Sequence, residues 1–389
     1  MSFRLLFFTF INLFLIIINV NHDKEAKFSV KYVISQELLY IRIFIGSPPQ
    51  IAFVKLDLIG QNPLISDMHY VPLNSNTYQI VRKEKIEVTN IIYDAQIIQD
   101  IVGVNQIFDR VNFTFLLVNT NYNRYTASLP LSYIIQKNEY SLIQQYKIQG
   151  LINRSVFYIE PKGELEGQFH IGDTDTIMNR KSLSQFIGKC KIAQYQSLWM
   201  CTLEKVEINA QIYEKKRFVV FRTDIRRNIV PSSFLHFLAD TALKDLFQKE
   251  KCNLQKFPLR PGCEYITCTL EKEDKKFPNI DFYLDEYKLT INLDKFWHCV
   301  MKSCLLLFDS DEDSMFYFGY SFITQFITEY DNEKGEVTFY SLESKKIGNN
   351  YLRNNLSIRF VIYLFNSIYL ICGSFYIWVI YIKLMNKKI

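Results

Sequence analysis

Residues 360–382 contain no Asp, Glu, Lys or Arg, and a charge-free run of that length has few folded fates. As a helix rising about 1.5 Å per residue it covers a hydrocarbon core about 30 Å thick, so the chain is expected to cross a bilayer once there. Lys383, Lys387 and Lys388 follow the run directly, with Arg359 on its other flank. The positive-inside tendency then puts residues 383–389 in the cytosol. At the other end Arg4 precedes an apolar run from Leu5 to Val20, closed by the polar stretch 21–27. That is the pattern of a signal peptide, here residues 1–20. The competing reading, an uncleaved anchor, suits the run less well because it is short for a span. Both ends together predict a single-pass type I protein of the secretory pathway or cell surface, with its large domain luminal or extracellular and the membrane as partner of its C-terminal helix.

The roughly 335 residues between these ends exceed one ordinary core and suit two lobes of about 150 each. The net charge of +5 is spread without a dominant basic block, so the chain is expected not to bind nucleic acid. Of eight cysteines, Cys372 falls in the apolar run. Cys190, Cys201, Cys252, Cys263, Cys268, Cys299 and Cys304 remain, an odd number in an oxidising compartment, where most should form disulfides. A four-thiolate zinc site from Cys263, Cys268, Cys299 and Cys304 is the alternative, but their spacing is looser than the usual knuckles. His22, His69, His170, His236 and His298 are scattered and suggest no catalytic metal. Short apolar runs with period-two alternation predict strands at 40–45, 111–118, 156–159, 218–221 and 337–340. One good helix is expected over 231–248, opened by Pro231 and Ser232 and carrying an apolar stripe of Phe234, Leu235, Leu238, Ala242, Leu243 and Leu246.

Several local motifs then fall in a recognisable order. Tyr40 through Gly46, Pro48, Pro49 and Gln50 make an opening strand and tight turn, and Val54 to Asp57 follow at a short distance. Leu165, Gly167, Gly172 and Asp175 come next, then Leu198–Trp199. Pro278, Ile280, Phe282, Cys304, Phe318–Gly319, Phe322, Glu329 and Asp331 close the series. Across 39–340 this resembles the pepsin-like aspartic peptidases. The resemblance implies a mostly β, bilobal fold with lobes at 28–190 and 191–345, and no cofactor or metal is expected. Residues 346–359 then form a juxtamembrane linker to the apolar run. It also implies a second-lobe disulfide joining Cys268 and Cys304.

The chemistry of that family needs two aspartates, one per lobe, close enough to share a proton and hold a water between them. Each normally sits in Asp-Thr-Gly or Asp-Ser-Gly. Asp57 keeps the first position, but Leu58 and Ile59 replace the hydroxyl and the glycine. Counting back from Pro231 places Arg222 where the second aspartate belongs, followed by Thr223 and Asp224. An arginine facing Asp57 would bind it bidentately and abolish the shared proton. Counting back from Asp100 puts Val88 in place of the flap tyrosine that covers substrate. The expectation is therefore a catalytically inactive member whose cleft still binds an extended peptide or protein ligand. Two alternatives stay open: an active aspartic endopeptidase pairing Asp57 with Asp224 in a shifted second loop, and a purely structural surface protein. Outside the family context Asp57 reads as a hydrogen-bonded turn aspartate, and Arg222, under a shifted register, as a surface arginine. Sequons at Asn112, Asn153 and Asn355 would carry glycans in a lumen.

Overall fold

The structure of the chain is a computed structural model. It describes residues 29–344, apart from 36–37, 61, 89–90, 105–109, 119–126, 134–140, 164, 174–183, 194–196, 259, 261, 272–273, 275 and 313–314. The expected signal peptide, linker, membrane helix, cytosolic tail and Asn355 sequon lie outside the described residues. Among the described residues no helix is long and apolar enough to cross a membrane.

The chain is mostly β, as the alternation predicts. In chain order the strands are β1 (Ser29–Ser35), β2 (Leu38–Ile45), β3 (Gln50–Asp57), β4 (Leu64–Ser66), β5 (Gln79–Val88), β6 (Ile91–Gly103), β7 (Val111–Val118), β8 (Ser128–Pro130), β9 (Val156–Pro161), β10 (Glu166–Ile171), β11 (Ser184–Lys191) and β12 (Met200–Ile208). Then come β13 (Gln211–Tyr213), β14 (Arg217–Phe221), β15 (Asn228–Pro231), β16 (Cys252–Lys256), β17 (Glu264–Thr269), β18 (Asn279–Leu284), β19 (Tyr287–Asn292), β20 (Trp297–Val300), β21 (Ser303–Asp311), β22 (Phe316–Phe318), β23 (Ile327–Asp331) and β24 (Glu336–Ser344). The helices are short: α1 (Leu142–Ile148), α2 (Ser232–Thr241), α3 (Lys244–Gln248) and α4 (Tyr320–Ile323). The expected helix over 231–248 is α2 and α3, interrupted at Ala242–Leu243. Phe234, Leu235, Leu238 and Leu246 face the core.

Two sheets form. The first runs β11-β24-β23-β9-β10-β1-β2-β3-β8-β4-β7-β6-β5, and the second β16-β17-β21-β15-β22-β14-β12-β18-β19, with β13 on β12 and β20 on β21. In β2 and β3 the residues Leu39, Ile41, Ile43, Ile45, Ala52, Val54 and Leu56 are buried, whereas Arg42, Ile51 and Phe53 between them are exposed. Period-two burial of this kind is what pins a register. The β2–β3 turn needs Gly46, whose φ of +82° is open to glycine without steric cost.

The pairing crosses the expected boundary at 190/191. Strands β23 and β24, late in the chain, join the first sheet through β9, and 190/191 falls inside β11. One continuous apolar cluster joins both sheets, and at its middle Phe157, Trp199 and Tyr330 touch one another while Phe221 links Tyr330 to Phe339.

The expected Cys268–Cys304 bridge is also corrected. The disulfides are Cys190–Cys201, Cys252–Cys268 and Cys299–Cys304, with Cys263 free. The four thiols of the imagined zinc site are thereby divided. Cys268 and Cys304 are indeed opposite each other across β17 and β21, but each also faces a cysteine nearer in sequence, at separations of 16 and 5. While the chain is still unfolded, closing the shorter loops costs less chain entropy.

Candidate functional site: two ion pairs where the sheets meet

One connection occurs twice. In the first sheet β3 runs parallel to β8, and β4, the next strand, lies parallel to β7 and antiparallel to β8. In the second sheet β14 runs parallel to β22, and β15 lies parallel to β21 and antiparallel to β22. Strand β3 ends at Asp57 and β14 ends just before Arg222, so these residues take corresponding places in the two connections. Backbone hydrogen bonds hold both exits: Leu131 N donates to the Asp57 carbonyl at 2.7 Å, and Arg222 N donates to the Phe318 carbonyl at 2.9 Å. Trp199 ties the second sheet to this joint, donating its indole N–H to the Leu131 carbonyl.

The two loops touch through Thr223. Its hydroxyl donates to the Leu56 carbonyl at 2.7 Å and accepts from Leu58 N at 3.2 Å. Leu58 has no hydroxyl to return the contact, and its side chain is fully buried instead. Thr223 is buried as well, so both of its bonds are made away from water.

Asp57 closes its own turn. Its Oδ1 accepts from Ile59 N at 3.1 Å and Gly60 N at 2.9 Å, an Asx-type arrangement. Gly60 is required here, because a Cβ at that position would sit 2.9 Å from the Asp57 carboxyl carbon. The other oxygen, Oδ2, lies 3.3 Å from Lys55 Nζ. Lys55 and Asp57 are two apart on one strand and therefore share a face.

Arg222 does not lie on Asp57, contrary to the sequence-based expectation. Its guanidinium forks onto Asp224, Nε to Oδ1 at 3.0 Å and Nη2 to Oδ2 at 2.7 Å, and stands 5.6 Å from the Tyr317 ring centroid. The reason is local. Asp224 is two residues away and presents a bidentate partner, while the Asp57 carboxylate already has two amides and an ammonium. Burial works to lower the Arg222 pKa, and the bonded Asp224, with Tyr317 and the more distant Asp57 charge, reverses that and raises it. Asp224 in turn is not hydrogen-bonded to Asp57 among the described residues, so the two carboxylates share no proton. Each has its own cation.

Val88 is the last residue of β5, opposite Ile91 across the β5–β6 hairpin turn, which puts it at the hairpin tip. The base of this hairpin is fixed by Asp100, missed by sequence reasoning except as a counting mark. Its carboxylate accepts from the Tyr70 hydroxyl, from Thr77 Oγ1 and from Ile101 N. Asn112 and Asn153 are exposed. Lys55 was also missed, though the i, i+2 spacing to Asp57 on a predicted strand is a usable signal.

A scan against models of known protein families finds no match, and a search of curated proteins finds no relative. Among the described residues no group of three or more His, Cys, Asp or Glu side chains is arranged to hold a metal ion.

Proposed function

We propose that the chain is a membrane-anchored, two-lobed protein of the pepsin-like aspartic peptidase fold, whose interlobe cleft binds an extended peptide without cleaving it. The observation that carries this reading is the pairing of each carboxylate at the joint with a cation two residues away, Lys55 with Asp57 and Arg222 with Asp224. Acid proteolysis of this type needs one carboxylate to act as base on a water while its protonated neighbour polarises the carbonyl. Two separate ion pairs leave neither role filled. The duplicated strand connection supports the fold, and the motifs between 39 and 340 point the same way. The β5–β6 hairpin is the element suited to cover a bound chain. The three disulfides suit an oxidising compartment, with the large domain luminal or extracellular and the 360–382 helix in the membrane.

The test is twofold. The chain purified in detergent should leave acid-unfolded protein uncut from neutral to strongly acidic pH, while an immobilised library of extended peptides should retain it. Cleavage lost separately on Asp57→Asn and Asp224→Asn would overturn the inactive reading in favour of a dyad of those two carboxylates. A chain that neither cuts nor binds peptide would leave the structural-protein alternative.

A further inference from the structure

Four of the six bridged cysteines stand in one row. Cys252 is opposite Cys268 across β16 and β17, Cys268 is opposite Cys304 across β17 and β21, and Cys304 is opposite Cys299 across β21 and β20. Residues directly opposite on adjacent antiparallel strands point to the same face. The Cα atoms of the two bridged pairs stand 4.0 Å apart, and the third pair, opposite in the same ladder, takes the usual separation of about 4.5–5.5 Å, within the range a disulfide spans. Each of the three neighbouring pairs in the row is therefore bridgeable without any change of register, although only the outer two bridges are present. Cys252, Cys268 and Cys304 are buried, whereas Cys299 is part-exposed at the base of a hairpin tip formed by the exposed Val300 and Met301.

From this register we infer that the row is a thiol–disulfide exchange site for a dithiol reductant, with Cys299 as its point of entry and a Cys268–Cys304 bridge as its product. A thiolate of the dithiol attacks Cys299 Sγ, the Cys299–Cys304 bond breaks, and Cys304 leaves as thiolate. Cys304 then attacks its other neighbour, Cys268, forming the central bridge and expelling the Cys252 thiolate, which takes up a proton. The second sulfur of the dithiol resolves the mixed disulfide, leaving Cys299 as a thiol. Two electrons and two protons pass from the dithiol to the chain: the dithiol becomes a disulfide, and two bridges become one bridge and two thiols. Direct attack on a disulfide sulfur is the normal course of such exchange, with access deciding which sulfur is struck. Access here favours Cys299. The effect is to carry reduction from the exposed end of the row to the buried end while the sheet stays cross-linked between β17 and β21. This inference does not depend on the cleft.

The experiment uses the full chain in detergent, treated with limiting dithiothreitol, trapped with iodoacetamide and mapped without reduction. Cys263 should be alkylated throughout and serves as the reference thiol. The expected singly reduced species carries Cys268–Cys304 with alkyl groups on Cys252 and Cys299, and outnumbers other singly reduced species several-fold. Alkylation of Cys299 with Cys304 while Cys252–Cys268 persists would overturn the relay, as would alkylation of Cys252 with Cys268 while Cys299–Cys304 persists. A second arm needs no reductant: the double variant Cys252→Ser, Cys299→Ser, incubated with oxidised glutathione, which takes up the two electrons and two protons, should form the central bridge. A folded double variant with free Cys268 and Cys304 would equally overturn the proposal. If that variant fails to fold, the wild-type map decides.

Discussion

At the scale of single residues, the joint between the sheets depends on one hydroxyl. Thr223→Val keeps the shape and removes the donor to Leu56 and the acceptor for Leu58, leaving two buried backbone groups unpaired at a cost of about 1–3 kcal/mol each. Thr223→Ser should recover most of the loss in a thermal melt. A second carboxylate at position 222 should not by itself create activity. Arg222→Asp should give no acid proteolysis in a fluorogenic peptide assay, because Lys55 still holds Asp57 and the new carboxylate faces an unpaired Asp224. Two further carboxyls set opposite pH slopes. Burial raises Glu160, but hydrogen bonds from His170 and Lys162 outweigh it and lower the group from 4.5 to about 2. A depressed carboxyl stabilises the fold above its unfolded value, and that contribution is lost as pH falls through about 2. Asp309 runs the other way: burial pushes it up from 3.8 to about 7, against the pull of Arg227 and Arg260. Its contribution is complete below 3.8 and is lost as pH rises through about 7. In denaturant titrations at several pH values, Asp309→Asn should flatten the decline of wild-type stability over that upper window and leave the acid limb unchanged.

Single elements were largely legible in the chain. All five expected strands form, because alternation of apolar and polar residues is a property of the strand itself and survives whatever the sheet does next. The helix over 231–248 was legible for the same kind of reason, and its buried stripe makes a direct test. Leu238→Ala on α2 removes a fully buried side chain and should cost about 2–5 kcal/mol in chemical denaturation, as large-to-small core changes do. The break between α2 and α3 was not legible, since the apolar stripe continues across it through Ala242 and Leu243. The turn after β3 was half legible. Gly60 and Asp57 could be read as turn residues, but the carboxylate accepting two amides is a matter of loop geometry. Gly60→Ala should displace that carboxylate, because the added Cβ would meet it at 2.9 Å, and should lower the melting temperature more than Gly163→Ala, where nothing lies within 4 Å.

For the whole molecule, strands from the two ends of the described sequence complete one sheet. The described residues up to Leu342 belong to one compact unit, and β23 and β24 complete a sheet begun by β1. A fragment ending at Lys191 therefore lacks two strands beside β9 and exposes Val156 and Tyr158, which pack against Ile327 and Tyr340. It should not fold alone, as read by near-UV circular dichroism, and co-expression with a fragment starting at Ile192 should recover the native signal. A first fragment that folds alone would show that β23 and β24 are dispensable.

The sequence by itself determined the β character, the placement of the main strands and the helix, and which residues stand at the ends of β3 and β14. These follow from local periodicity and from motif order, which need no knowledge of distant neighbours. Tertiary structure decided the partners. Arg222 turns to Asp224 and Asp57 to Lys55 because the nearest opposite charge in the folded loop satisfies each at least cost. Cys268 bridges to Cys252 because strand register sets three cysteines side by side, and the shorter loop closes. A sequence names the groups that can pair, whereas only the fold, by fixing which of them are adjacent and already satisfied, selects the pairs.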